Sequence, residues 1–177
     1  MAQTEIFPIV DNDGTVTGKA TRMECHSGSK LLHPVVHLHV VSESGRIFLQ
    51  KRSASKDIQP GKWDTAVGGH VDYGEDTETA LRREAREELS LQSFTAVKIV
   101  SYIFESAIEK ELVNVYATIV PYSFKTAFDS VEIDDARFWS DDEIENAIGK
   151  GILTPNFEKE YISIRGELNR LISDRHE

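Results

Sequence analysis

Three glutamates fall within about one turn of a segment patterned as a helix: Glu84, Glu87 and Glu88 in ALRREAREELSL. At about 100° per residue, Leu81, Ala85 and Leu89 form a narrow apolar stripe with Glu84 and Glu88 beside it, while Arg82, Arg83 and Arg86 take the other side. Like charges at i,i+4 cost roughly a few tenths of a kcal/mol in water and more when partly buried. An ordinary amphipathic helix would therefore put its carboxylates where the arginines stand. A divalent cation removes the conflict. Carboxylate oxygens suit Mg²⁺, with Mn²⁺ as the alternative, and Mg²⁺ is usually held by about one or two carboxylates together with substrate phosphates and water. Such a cluster can bridge a diphosphate and activate a water for attack at phosphorus.

The elements around this helix must aim it. Gly68 and Gly69 precede it and permit close backbone approaches, so the Gly69 carbonyl can reach a metal. Asp76 is the natural N-cap of a helix running to about Leu89. Upstream, VVHLHVVS (35–42) and RIFLQKR (46–52) read as strands around ESG, with His37 and His39 on one face in structural or solvent-facing roles. The loop KRSASKDIQPGKWD offers Arg52 and Lys56 to an anionic ligand, and TAV is a short strand leading to Gly68. The N-terminal EIFPIV, DNDG and TVTGKATR predict a hairpin over 5–22, decorative rather than chemical, and MECHSGSKLLHP a polar loop. After the helix, SFTAVKIVSYIFES and ELVNVYATIV are strands joined at IEKE, and TAFDSVEIDDARFW is an acidic loop followed by a strand. Ser140 and Glu143 form a capping box. Thr154-Pro155 opens a last helix, where Phe157, Tyr161, Ile164, Leu168 and Leu171 make a buried face; a homodimer contact is the second reading of that stripe. Strands interleaved with two or three helices predict an α/β domain with a mixed sheet, one domain over 1–177.

Composition narrows the partners. A formal net charge of −10 argues against a nucleic-acid groove or an anionic membrane surface. Small anionic substrates remain compatible if metal ions screen them. The single cysteine, Cys25, rules out an intramolecular disulfide framework and fits a reducing compartment. With no signal-peptide pattern and no run of about 18 apolar residues, the sequence reads as soluble and cytoplasmic.

The spacing of these residues resembles a known family. Gly69, Glu75 and the run Arg83-Glu84-Ala85-Arg86-Glu87-Glu88-Leu89-Ser90-Leu91 look like the Nudix box of the Nudix hydrolase superfamily. One position departs: Ser90 stands where the pattern has glycine, at the helix's C-terminal turn. The resemblance implies a Nudix-like α/β/α sandwich with a mixed β-sheet and an N-terminal β-hairpin, and a Mg²⁺-dependent hydrolase of a diphosphate in a small-molecule, nucleoside diphosphate-type substrate. It implies Glu84, Glu87, Glu88 and Gly69 as metal ligands, with Glu84 also a candidate to activate water. Arg83 would pair with a box glutamate such as Glu75, and Glu132 is the candidate for a further acid outside the box.

A second resemblance covers about residues 5 to 140. ATRMECHSGSKLLHPVVH, LQKRSASKD, PGKWD, GGHV and EKELVNVY are similar to isopentenyl-diphosphate isomerase and its branch of Nudix proteins. It implies a second divalent metal held by His26, His33, His70, Glu109 and Glu111. The isomerase also needs a cysteine where this chain has Gly68, which favours hydrolysis. Isomerisation, and a non-catalytic diphosphate-binding module, stand as the alternatives.

Overall fold

The computed structural model describes residues 4–174, so both ends of the 1–177 span lie outside the described residues. Strands β1 (Ile6–Val10) and β2 (Val16–Thr21) pair as a separate antiparallel hairpin. Asp11 sets its turn, one carboxylate oxygen accepting from the Asp13 and Thr15 N–H groups at 2.9 Å each. A short helix α1 (Arg22–Cys25) follows where the sequence suggests only loop; Thr21 and Glu24 cap it reciprocally. Cys25 is buried.

The main sheet comprises β3 (Leu32–Ser42), β4 (Ile47–Arg52), β5 (Trp63–Thr65), β6 (Val67–His70), β7 (Val97–Glu105), β8 (Lys110–Val120) and β9 (Ile133–Trp139). Strand β3 begins three residues before the segment that alternation suggests, and Trp63–His70 forms two short strands rather than one. The sheet is mixed: β3 and β8 run parallel over their whole length, and the other pairings are antiparallel.

Its decisive irregularity is a fork. Strands β3 and β4 pair only at Val40–Phe48 and Val41–Ile47; beyond that, β3 pairs with β6 and β4 with β5. The two strands part, and the segment from Trp63 to His70 fills the gap. Gly68, Gly69 and His70 therefore lie in a cleft of the sheet.

Helices cover both faces. Helix α2 (Thr77–Leu89) buries Ala80, Leu81, Ala85 and Leu89 against Val36, Leu38 and Val40 of β3. Helices α3 (Asp141–Ala147) and α4 (Pro155–Ser173) bury Ile144, Phe157, Tyr161, Ile164 and Leu168 against Val35, Val41, Ile47 and Leu49 on the opposite face. Each large apolar side chain so buried contributes roughly 1.5–3 kcal/mol. The expected three-layer α/β/α arrangement results, with Asp76, Ser140 and Thr154 as N-caps. The α4 stripe is occupied by the sheet, so it is no free homodimer face. His37 and His39 are not solvent-facing either, because α4 covers their side of β3 and His39 is fully buried. Among the described residues, no helix is long and apolar enough to cross a membrane.

Candidate functional site

Helix α2 presents its glutamates to the fork at graded depth. The Glu84 side chain is 15% exposed and that of Glu87 is 55% exposed. Glu88 points inward, where its Oε2 accepts from Gln50 Nε2 at 3.0 Å and from the Gly68 N–H at 3.3 Å. Burial and the neighbouring Glu84 charge push the Glu88 carboxyl up to about 8, against those two hydrogen bonds. Burial raises Glu84 as well, despite its ion pair with Arg83. Two carboxylates are thus gathered with Arg83 as the one cation ion-paired to them among the described residues, through Glu84, an environment that a divalent cation fits.

Gly69 is fixed by sterics. A Cβ on it would overlap the Glu84 carboxylate, so only glycine lets strand and helix approach this closely. Arg83 does not join Arg82 and Arg86 on the outer side. Its guanidinium turns inward to grip both Glu75 oxygens, at 3.0 and 2.9 Å, then reaches Glu84 Oε1 at 2.6 Å and the His70 carbonyl at 3.0 Å. One side chain so ties helix, preceding loop and fork strand together. At the far end Ser90 takes the left-handed conformation, φ 53° and ψ 23°, at the position where the motif has glycine.

Glu84, Glu87, Glu88, Gly69, Arg52, Lys56 and Glu132 all line one cavity of about 980 Å³. The basic loop is not a pair of free cations, however. Lys56 is ion-paired with Glu132, and Arg52 donates to the Ile58 carbonyl at 3.1 Å and lies 3.6 Å from Asp64. Gln50 and Arg22 also line this cavity, and sequence reading passed over both. For Gln50 a signal existed: in IFLQKR the alternation puts it on the same inward face as Phe48, an odd place for an amide without a polar partner.

The five residues of the second cluster come together. His26, His33 and His70 place ligand-type nitrogens within 4.8 Å of one another. The Nε2 atoms of His26 and His70 are 3.1 Å apart. Glu109 approaches His26 Nε2 at 3.6 Å, and Glu111 approaches His70 Nε2 at 3.9 Å. His33 Nδ1 meets the Leu31 carbonyl at 2.9 Å and must be the donor, which leaves Nε2 a lone pair, buried and without a partner. Burial pushes His26 down to about 4 and His70 well below its ordinary range, while burial and then Glu109 push Glu111 up to about 7. Unprotonated imidazoles facing carboxylates make a donor set suited to a transition metal. The hairpin is not decorative: Phe7 stacks on the His70 ring at 4.3 Å and 2° and also faces His33.

A second cavity of about 610 Å³ opens on this cluster and is lined by His26, His70, Glu109 and Glu111. Both cavities share Arg22, Gln50, Arg52, Gly68, Gly69 and His70, so the fork is their common wall.

A family model described as NUDIX domain matches residues 31–157. An uncharacterized Nudix hydrolase of Nostoc sp., all7351, is 42% identical over 91 residues, 51% of this chain and 54% of its own length. An isopentenyl-diphosphate Delta-isomerase of Clavibacter michiganensis is 34% identical over 89 residues, 50% of this chain and 46% of its own. The chain spans about half the length of these curated relatives. Among solved structures, DR0079 from Deinococcus radiodurans superposes with a TM-score of 0.78 at 23% identity, covering 90% of this chain and 99% of that one, a likeness of fold.

Proposed function

The chain belongs to the NUDIX domain family, and from that premise we propose that it is a Mg²⁺-dependent hydrolase of a diphosphate linkage in a small-molecule, nucleoside diphosphate-type substrate. The observation that carries the reading is the convergence of Glu84, Glu87, Glu88 and Gly69 with Arg52 and Lys56 on a single cavity. Glu84, Glu88 and Glu87, with the Gly69 carbonyl, are the residues that would hold the metal, Mn²⁺ serving as an alternative. Bound there, a divalent cation would offset phosphate charge and acidify a water.

The chain's own groups supply the rest. Gln50 holds the Glu88 carboxylate through its amide, and Arg83 fixes Glu84 and Glu75 so that the helix presents one geometry. Glu84 accepts the proton of the attacking water. That water's oxygen bonds to one phosphorus as the bridging P–O bond breaks, and the leaving phosphate takes the electron pair. Arg52 and Lys56 hold the phosphate oxygens, for which Lys56 must exchange Glu132 for substrate; Glu132, released, faces the same cavity as a second base. Formation of phosphomonoester products, with inorganic phosphate where the second phosphate is terminal, from a panel of nucleoside diphosphate derivatives and isoprenyl diphosphates, with Mg²⁺ or Mn²⁺, tests this. Activity unchanged in Glu87→Gln or Glu88→Gln would sink it.

His26, His33, His70, Glu109 and Glu111 are the candidate ligands of a second divalent metal, supported by the orphaned His33 Nε2. That convergence also favours isopentenyl-diphosphate isomerisation as a second reading. Gly68, where the isomerase resemblance calls for cysteine, speaks against it, and dimethylallyl product on the same panel would revive it.

A further inference from the structure

Strand β7 ends the main sheet on one side and β9 on the other, and the two edges are built differently. Along β9, Asp134, Asp135 and Arg137 put charge on the rim, which discourages a second strand from pairing there. Strand β7 runs nine residues without proline, and its only charges are Lys98 and Glu105, near its two ends. Between and beside them Val97, Val100 and Ile103 are 39%, 38% and 41% exposed. The strand pairs with β8 alone, so among the described residues its outer N–H and C=O groups meet no other strand. Unpaired edge groups of this kind are a template for another chain.

The strand's own irregularity selects the partner. Lys98 lies opposite Tyr116, Val100 opposite Val115 and Ser101 opposite Asn114 on β8, so Ile99 is an extra residue, a bulge. The bulge brings Lys98 to the same face of the sheet as Ser101, Ile103 and Glu105. We propose that β7 is a self-association edge, at which two copies of this chain join antiparallel, β7 to β7, about a two-fold axis at Tyr102. In that register Ser101 faces Ile103, Val100 faces Phe104 and Lys98 faces Glu105, each pair formed twice. An axis at Ser101 would set Lys98 against Ile103, and one at Ile103 would set Glu105 against Ser101, so both lose the ion pairs. An axis between residues would oppose side chains of different faces, which the pleat forbids. Glu105 then stands between Lys110 of its own sheet, 3.8 Å away, and Lys98 of the second copy. The pairing is isologous and therefore closes, leaving the charged β9 edges at both ends of the joined sheet. Phe104 and Glu105 also line the second cavity, so Lys98 of the second copy stands at that cavity's rim.

Sedimentation equilibrium over a wide range of protein concentration tests the edge. The wild type is expected to pass from monomer to dimer and to stop there. Lys98→Glu and Glu105→Lys, each alone, oppose like charges twice in every dimer and should weaken association at least ~10-fold. Mixed in equal amounts, the two variants regain both pairs, glutamate against lysine at each end, and should associate as the wild type does. A change confined to one chain's own fold gives no such rescue. A wild type that stays monomeric at every concentration, and so leaves the edge to some other chain, would overturn the proposal. So would a dimer that both variants leave intact, or variants that fail to recover on mixing. Hydrogen exchange of the wild type supplies a measurement that needs no variant: the amides of Val97–Glu105 should gain protection as concentration rises, and protection unchanged there while a dimer forms places the contact elsewhere and overturns it.

Discussion

His37 on β3 and Glu160 on α4, 123 positions apart, meet at 2.8 Å beneath the second cavity. The Glu160 carboxylate is buried with three donors on it, so it stitches the last helix to the sheet. Removing one partner of a buried pair leaves the other charge uncompensated. Glu160→Gln should therefore lower unfolding free energy by about 3–5 kcal/mol in urea titrations at pH 7. A loss below about 1 kcal/mol would show that the pair contributes little beyond its shape.

The same pair sets a pH dependence. Burial disfavours the charged imidazole, but Glu160 lifts the folded His37 imidazole to about 9, above the ordinary histidine value of about 6.5. The folded state therefore binds the extra proton, and the stability this gives is complete below about pH 6.5. It fades as pH rises through 9. Glu160, held far below the ordinary carboxylate range, adds stability that is lost only in strong acid. Urea midpoints are expected to fall between pH 7 and 9.5, and this fall should be much smaller in Glu160→Gln. A wild-type midpoint that climbs over that interval would contradict the charged form of His37.

What could be read from the sequence was local. The stripe of Leu81, Ala85 and Leu89, the glutamates beside it, and the distance back to Gly69 all sit within one strand–loop–helix unit, so spacing alone places them. Alternation put His37 and His39 on one face, but not what covers that face, because Glu160 belongs to a helix more than a hundred residues on. Lys56 and Arg52 were legible as basic loop residues; their partners Glu132 and Asp64 were not, since only the fork of β3 and β4 brings those segments together. The hairpin looked idle for the same reason: nothing near Phe7 in sequence says that it stacks on His70.

Ser90 is a local cost of the motif's one departure. It ends α2 at φ 53°, a region where a Cβ meets the following carbonyl, with its N–H still bonded to the Ala85 and Arg86 carbonyls. Ser90→Gly should relieve this and, after the greater chain entropy of glycine, stabilise by roughly 0.5–1 kcal/mol. That corresponds to a rise of about 1–4 °C in Tm for a chain of this size. An unchanged or lower Tm would mean that the serine side chain offsets the strain.

The histidine cluster predicts its own metal chemistry. Because burial keeps His26 and His70 unprotonated well below neutral pH, no proton need be displaced from either ring for a metal to bind at pH 7. Co²⁺ added to metal-stripped protein should give visible d–d bands. His33→Gln should weaken that binding by at least ~10-fold while leaving Mg²⁺-dependent turnover measurable. Bands that persist unchanged in His33→Gln would exclude its orphaned Nε2 as a ligand.

Gly69 separates the glutamate site from simple carboxylate content. A Cβ on residue 69 would overlap the Glu84 carboxylate, and the obstacle is a side chain already held by Arg83 at 2.6 Å. Glu84 cannot yield without breaking that ion pair, and Arg83 cannot follow without releasing Glu75 and the His70 carbonyl. The overlap is therefore relieved by moving helix against strand, which changes the spacing of Glu84 and Glu88 together. Gly69→Ala is expected to lower kcat/KM by about 10²-fold or more, as misplacements of about 1 Å do in positioned sites. It should also weaken Mn²⁺ binding, read by electron paramagnetic resonance, with roughly 1–3 kcal/mol lost in stability. Gly68→Ala is the control. The nearest atom to its added Cβ is His37 Cδ2 at 3.4 Å, so it should spare Mn²⁺ binding. If both variants weaken Mn²⁺ equally, the close approach of Gly69 to Glu84 is not what shapes the metal site.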